Sequence, residues 1–331
     1  MKAIAVINDT LQDIELPLPQ ALARDLLVKI AAISVNPVDH KMRGAATEDG
    51  SPRVLGWDVA GVVSAVGPDV TLFKVGDEVY YAGSLVRPGA NSEYHVVDER
   101  IVGRKPSTLD FVQAAALPLT SITAWEAIYE RLGVKHGGGD EGKRILIVGA
   151  AGGVGSIAIQ LAKKLARLTV VATASRPESA EWCRKLGADH MIDHNGDLPA
   201  QLKALGIADV DFILCLNEFD HHFPAMVEAL APQGKLCSIV KNERPLALDL
   251  LFSKSATLVF ELMFTRAMFQ TADMDEQHKL LTILAGLIDE GRITTTVGEV
   301  FGAINAANIA KAHAALEARR TIGKIVLSGF Q

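Results

Sequence analysis

Cysteine is scarce in this 331-residue chain. Only Cys183, Cys215 and Cys237 are present, far apart and odd in number. No disulfide framework and no Cys-x-x-Cys metal knuckle can be built from them. Such usage fits a reducing, cytoplasmic setting. Positive charge is also in short supply. Lys and Arg total 33 against 39 Asp and Glu, a net charge of -6, and no basic run interrupts the chain. A dedicated nucleic-acid binder needs phosphate-neutralising patches, so that class is excluded. A long unbroken apolar run is missing too. The least charged stretch, from Ile145 to Ala162, approaches the ~18 residues of a membrane helix. Gly149, Gly152, Gly153 and Gly155 fall inside it, and glycines clustered there break it into strand, turn and helix. The first residues, MKAIAVINDTLQDIELP, carry acids early and do not read as a signal peptide. What is present is an ordinary globular balance, 49% hydrophobic and 22% charged. That excludes disorder as the main state. At ~150 residues per domain the length suggests two domains.

The first hundred residues are rich in strand signals. Leu27 to Ser34, Val59 to Val66, a strand after Gly76-Asp77, and Glu93 to Val97 are short, β-branched and separated by Gly/Pro turns. That pattern predicts a compact β domain. It changes near Pro118. Helices are expected at Thr120–Leu132, Ser156–Ala166, Pro177–Leu186 and Phe223–Leu230. Between them lie strands at Lys143–Val148, Leu168–Ala172, His190–Asp193, Val210–Leu216 and Gly234–Val240. This alternation is the sequence form of an α/β, doubly wound parallel sheet. Beyond residue 260 helices dominate, with Glu276–Glu290 and Ala306–Ala318 the clearest. A final strand, Lys324–Leu327, has no helix after it. It is expected to return to the first domain's β-structure.

The strongest motif is Ile145-Leu-Ile-Val-Gly149-Ala150-Ala-Gly152-Gly153-Val154-Gly155. It follows a strand and opens a helix, the context that gives such a motif meaning. The first N–H groups of a helix have no partner within it and sit at the positive end of its dipole. A pyrophosphate fits there if no side chain blocks it. Gly152 is the expected point of close approach, and Gly155 lets the helix pack on the strand. Ala150 stands where a glycine is usual, so the motif is a variant. A dinucleotide is the expected ligand. An acid ~20 residues past such glycines accepts from the adenosine ribose, whereas Arg accommodates a 2′-phosphate. Here Ser175 and Arg176 occupy that place, which favours NADPH. Ser175-x-x-Glu178 also reads as a helix capping box with Pro177 inside it. Asn217 ends a strand of the same sheet, where ligands gather outside the carboxyl ends.

Together with Ser34-Val-Asn36-Pro37-Val-Asp39, Gly56-Trp57-Asp58-Val-Ala-Gly61, Val66-Gly67, Phe73-Lys-Val-Gly76-Asp77, Ser92-Glu93-Tyr94 and Ala114-Ala-Ala-Leu-Pro118-Leu-Thr120-Ser-Ile-Thr123, this order of motifs resembles the medium-chain dehydrogenase/reductase superfamily. The resemblance covers essentially the whole chain. It points to the zinc-independent quinone oxidoreductase branch and to proteins called "zinc-type alcohol dehydrogenase-like". It implies a GroES-like catalytic domain made of residues 1–117 and 261–331, and a Rossmann NADP-binding domain over 118–260. It further implies a cofactor cleft, a homodimer, and a quinone or α,β-unsaturated carbonyl as substrate.

Zinc members of the superfamily carry a Cys on the early loop and a His-Glu pair after a Gly. Asn36 and Trp57-Asp58 stand at those positions here. Zn²⁺ wants thiolate or imidazole ligands in a tetrahedral set, so no metal is expected. Simple alcohol oxidation without a metal lacks stabilisation for the alkoxide. A quinone or enone spreads the developing charge to oxygen, where hydrogen-bond donors suffice. Asn36, Asp39 and Thr123 are the catalytic candidates. The resemblance gives Asn36 a hydrogen bond to the nicotinamide ribose region, and the residue types of Asp39 and His40, a carboxylate beside an imidazole, suit a proton relay. An Asn-Pro turn, a loop acid and a helix-interior threonine are the plain structural alternatives. Trp57 and Tyr81 are expected to line a substrate pocket. His221-His222 lacks a third ligand and is expected in a solvated loop. The intact glycine turn also suits a non-catalytic NADPH-binding sensor.

Overall fold

Short β-branched runs set the architecture of the amino-terminal part. The computed structural model describes residues 1–44 and 51–330. The chain opens with β1 (Lys2–Ile7), β2 (Thr10–Glu15) and the long β3 (Asp25–Val35). There follow β4 (Arg53–Val54), β5 (Asp58–Val66), β6 (Glu78–Ala82), β7 (Tyr94–Asp98) and β8 (Val102–Arg104). β2, β1 and β4 form a three-stranded sheet. β3 pairs antiparallel with β5, and β5 with β6. The apolar faces of these strands enclose Leu26, Val28, Ile33, Val59, Val79 and Tyr81.

The helix Pro118–Trp125 leads out of this unit. The expected helix Thr120–Leu132 is continuous, but its pitch changes. Glu126–Arg131 is a π-helical turn, with the Leu132 N–H donating to the Ala127 carbonyl five residues back. The helix after the glycine turn does the same, α-helical over Gly153–Gln160 and π-helical over Leu161–Leu165. The middle of the chain then supplies β9 (Arg144–Val148), β10 (Thr169–Thr173), β11 (His190–Ile192), β12 (Val210–Cys215), β13 (Leu230–Ser238) and β14 (Thr257–Phe260). All five pairings are parallel, in the order β11-β10-β9-β12-β13-β14. Parallel strands need crossover connections. The helices Gly153–Gln160, Pro177–Leu186, Leu198–Ala204 and Phe219–Ala229 lie in those crossovers. The last of them begins four residues earlier than expected and keeps Pro224 inside it. The β13 strand begins at Leu230 and ends at Ser238, where Gly234–Val240 was expected.

After Phe264 the chain rejoins the first unit. The helix Glu276–Asp289 packs on β8. The chain ends with β15 (Val297–Val300), the helix Ala306–Glu317 and β16 (Lys324–Ser328). β16 pairs antiparallel with β3, placing Val326 opposite Ser34. The larger sheet thus runs β15-β16-β3-β5-β6-β8, with β7 on the far half of β3. The two units are residues 1–122 with 264–331, and residues 123–263. The first break therefore falls inside the helix Pro118–Trp125, five residues later than the Pro118 turn suggested. Among the described residues no helix is long and apolar enough to cross a membrane.

Candidate active site

In the parallel-sheet unit the glycine turn sits where β9 ends. Gly149 adopts φ +79°, a conformation that penalises any side chain. A Cβ there would also lie 2.6 Å from Asn217 Oδ1. The Gly149 N–H donates to Thr173 Oγ1 at 2.9 Å and the Ala150 N–H to the Thr173 carbonyl at 3.2 Å. β10 thereby holds the turn. Gly152 caps the helix Gly153–Gln160 in extended conformation. A Cβ on Gly152 would point into open space, with Gly149 O at 4.0 Å its nearest neighbour. That space is a cradle facing the helix start. The Gly153, Val154 and Gly155 N–H groups precede the first intrahelical bond, which runs from Ser156 N to Gly152 O. Gly155 has no room for a side chain because the Ala150 carbonyl occupies it. Asn217 Oδ1 is buried without a hydrogen-bond partner. An open cradle of unpaired N–H groups and a nearby unsatisfied amide fit a dinucleotide pyrophosphate and its neighbours.

Two expectations in this unit are corrected. Arg176, not Ser175, is the N-cap of the helix Pro177–Leu186, and no side chain caps it. Pro177 at the first helical position sets that start, so the Ser175–Glu178 box does not form. Ser175 is exposed, and Arg176 reaches Glu178 at 3.1 Å instead. His222 is buried within the helix Phe219–Ala229 with its Nε2 unpartnered. Its ring meets His194, whose Nδ1 lies 3.3 Å from Thr173 Oγ1. Burial and the two neighbouring imidazoles lower the His222 pKa. Thr173 and His194 carried no motif of their own. Their place beside the Gly149 turn comes from strand register.

In the β unit, Asn36 and Asp39 are brought together with Asp58 and Lys324. Asn36 precedes Pro37, which starts the short helix Pro37–Lys41. The Asn36 N–H donates to Asp39 Oδ2 at 2.8 Å. Its amide Nδ2 donates to Asp58 Oδ2 at 2.8 Å and to the Ser34 carbonyl at 3.4 Å. Its Oδ1 accepts from Lys324 Nζ at 2.5 Å. Lys324 also donates to the Val35 carbonyl at 2.7 Å and to Asp58 Oδ2 at 3.1 Å. Asp58 Oδ1 accepts from the Leu119 N–H at 2.7 Å. All four side chains are buried. The ammonium therefore uses its three donors on three acceptors, and both N–H donors of the Asn36 amide are committed to this network. Asp39 Oδ1 has no partner. Burial is the main cause that pushes the Asp39 carboxyl up to about 7. The Asn36 N–H and Lys324 hold it back, and Asp58 adds to the rise.

The donor chemistry here does not fit Zn²⁺. An amide, an indole and one carboxylate replace thiolate and imidazole ligands, and a fixed ammonium already sits among their oxygens. Among the described residues no cluster of three His, Cys, Asp or Glu could hold a metal. Trp57 is 1% exposed, and its Nε1 donates to the Ser84 carbonyl at 3.0 Å. Its ring meets Phe264 edge-on. Tyr81 is 0% exposed. The Pro88 carbonyl at 3.0 Å can only accept, so His95 Nε2 carries the proton and Nδ1 accepts from the Tyr81 hydroxyl at 2.9 Å. Tyr81 is thus buried with its hydroxyl committed to His95. Thr123 is buried as the first residue of the parallel-sheet unit.

Comparison with known proteins agrees with this anatomy. Residues 23–107 match the alcohol dehydrogenase GroES-like domain, and residues 186–327 match the zinc-binding dehydrogenase family. A zinc-type alcohol dehydrogenase-like protein of Staphylococcus aureus is 43% identical over 92% of this chain and 90% of its own. A crystal structure from Rhizobium etli, of a protein named as a candidate zinc-dependent alcohol dehydrogenase, is 50% identical. It superposes with a TM-score of 0.96, covering 100% of this chain and 98% of the other. Escherichia coli quinone oxidoreductase complexed with NADPH is 26% identical with a TM-score of 0.84, over 99% of this chain and 100% of its own. On that identity and coverage, and on the shared β unit and parallel-sheet unit, this chain is an oxidoreductase fold of the medium-chain dehydrogenase/reductase superfamily, to which it belongs.

Proposed function

We propose that the protein is a zinc-independent, NADPH-dependent reductase of quinones or α,β-unsaturated carbonyls. The observation that carries the reading is Lys324, whose ammonium supplies a fixed positive charge among the oxygens of Asn36 and Asp58. NADPH, when bound, supplies a hydride. The chain's own part is to hold the cofactor and to manage the charge that hydride transfer creates. The N–H groups of Gly153 and Val154 and the open face of Gly152 would take the pyrophosphate. The lack of an acid at Ser175-Arg176 favours a 2′-phosphate over a free ribose hydroxyl. The E. coli quinone oxidoreductase bound to NADPH supports the same cofactor. An acceptor that spreads charge onto oxygen needs a proton after the hydride. Asp39, raised to about 7, is poised between its two protonation states at neutral pH and suits that task.

The names of the matched family and of the R. etli protein favour a second reading, a zinc alcohol dehydrogenase. One experiment separates the two. NADPH oxidation is followed in EDTA with ortho-quinones and enones as acceptors and NADH as the control. Turnover that survives chelation and prefers NADPH is expected. Activity lost to EDTA and restored by zinc would establish the metal enzyme. Tight NADPH binding with no turnover on any acceptor would identify a sensor. Homodimer formation in the cytoplasm belongs to the same proposal and is read by light scattering on the purified chain.

A further inference from the structure

One buried charged group takes no part in the chemistry above. Glu126 and Arg131 stand at the two ends of the π-helical turn, and Glu261 follows β14 directly. Glu126 is 1% exposed and Glu261 2%. The Arg131 Nε donates to Glu261 Oε2 at 2.7 Å. Glu261 Oε1 meets no hydrogen-bond donor, yet the Glu126 carboxyl lies within hydrogen-bonding reach of Glu261. Ionised carboxylates only accept. A bond between these two exists only when one of them carries a proton.

The change of pitch explains how the three groups meet. In an α-helix, residues five apart point about 140° away from one another. In a π-turn the hydrogen bond closes from i to i+5, so residues five apart return to nearly the same face. Glu126 and Arg131 are five apart. An α-helical turn would aim only one of them at Glu261.

We propose that Glu126 and Glu261 share one proton and, with Arg131, form a latch that fastens edge strand β14 to the π-helical turn, and that loss of the proton opens it. Among the described residues β14 has β13 as its sole strand partner. Leu258 packs against the core and Phe260 meets Phe219 edge-on, while Phe260 and Leu262 stay exposed and Glu261 between them gives the edge its charged tie to the π-helical turn. Two further titratable groups face the latch. Glu130 approaches Arg131 at 3.8 Å from the same turn. Cys237 of β13 is pushed up to about 12 by burial and stays a thiol. Burial, then the Glu126 charge and its hydrogen bond, raise Glu261 to about 9, and Arg131 offsets part of the rise. A carboxyl raised in this way lends stability that is complete at acidic pH and is lost as pH rises through its folded value. The inference stands independently of the substrate and cofactor proposed above.

The test uses the full chain carrying Asp39→Asn, which removes the raised carboxyl of the β unit. Infrared difference spectra should show the carbonyl stretch of a protonated carboxyl at neutral pH. That band should vanish above about pH 9 and be absent in both Glu261→Gln and Glu126→Gln. Hydrogen exchange of β14, corrected for base catalysis, should accelerate with pH in the parent and stay flat in Glu261→Gln, whose amide donates permanently. No band at neutral pH, a band that survives both substitutions, or identical β14 exchange in parent and variant would overturn the proposal. If Glu261→Gln fails to fold, Glu126→Gln supplies the same readings.

Discussion

Replacing Lys324 by Met tests the internal cation of the β unit. The methionine keeps most of the apolar stem and removes the ammonium. Three acceptors lose a donor: the Val35 carbonyl, Asn36 Oδ1 and Asp58 Oδ2. Asp58 keeps the Asn36 Nδ2 and the Leu119 N–H, but its charge is then buried without a counter-charge. Breaking a buried ion pair from one side costs about 3–5 kcal/mol, because the remaining charge is uncompensated. The double variant Lys324→Met with Asp58→Asn removes both charges and keeps an acceptor for Leu119. Replacing both partners is often close to neutral, so it should return to within about 1–2 kcal/mol of the parent. The assay is urea unfolding at fixed pH. The Trp125→Phe, Trp182→Phe background leaves Trp57 as the reporter of this unit. An unchanged slope would show that only stability moved. A loss below about 1 kcal/mol for Lys324→Met, or a double variant no better than the single one, would refute the assignment of Lys324 as the compensating cation.

Two further outcomes follow from the sites described. Gly152→Val should abolish NADPH binding by calorimetry while changing the unfolding free energy in urea by no more than about 0.5 kcal/mol, because the position is sterically open and its φ is ordinary; retained affinity would displace the pyrophosphate from this turn. Asp39 is raised in the folded state, so its contribution to stability is present at acid pH and is lost as pH climbs toward about 7. Relative to Asp39→Asn, the parent should therefore lose stability between about pH 4 and pH 7 by up to about 1.4 kcal/mol per unit, and parallel pH profiles would show that Asp39 titrates normally.

The glycine turn was legible because each of its requirements is local. Gly149 needs positive φ, Gly152 needs open space and Gly155 needs backbone contact, and each leaves a glycine in the sequence. Strand–helix alternation showed the parallel sheet for the same reason, since burial and turn chemistry repeat along the chain. Lys324 was not legible as a site residue. It lies 288 residues from Asn36, and a lysine is ordinarily solvated. The register of β16, antiparallel on β3 and parallel on β15, is what buries it. The π-turn was hidden as well, because apolar spacing over Thr120–Leu132 reads as helix whatever its pitch. At Ser175 a local capping pattern lost to Pro177, which fits the first helical position so well that the cap moved to Arg176. His222 lies inside a helix and not in a loop because the helix opens at Phe219, after Glu218 in left-handed conformation, four residues before its apolar pattern becomes clear at Phe223.

The pairing of β16 with β3 also sets an order of assembly. Residues 123–263 form their sheet from strands that follow one another within a single uninterrupted stretch. That unit has all its parts as soon as its stretch has left the ribosome, and such domains fold as units in the order of synthesis. The flanking unit must wait. On one side β7 covers its central strand β3 over Asp25–Lys29, but the Ala32–Val35 half of that side stays a free edge until Ile325–Ser328 arrives to cover it. Until then Asp58 and Asn36 lack their cation and are stable only in contact with water, so this core cannot dry out early. An emerging chain therefore carries a finished sheet beside a wet, open one, and the open edge of β3 is the surface that a chaperone has to guard.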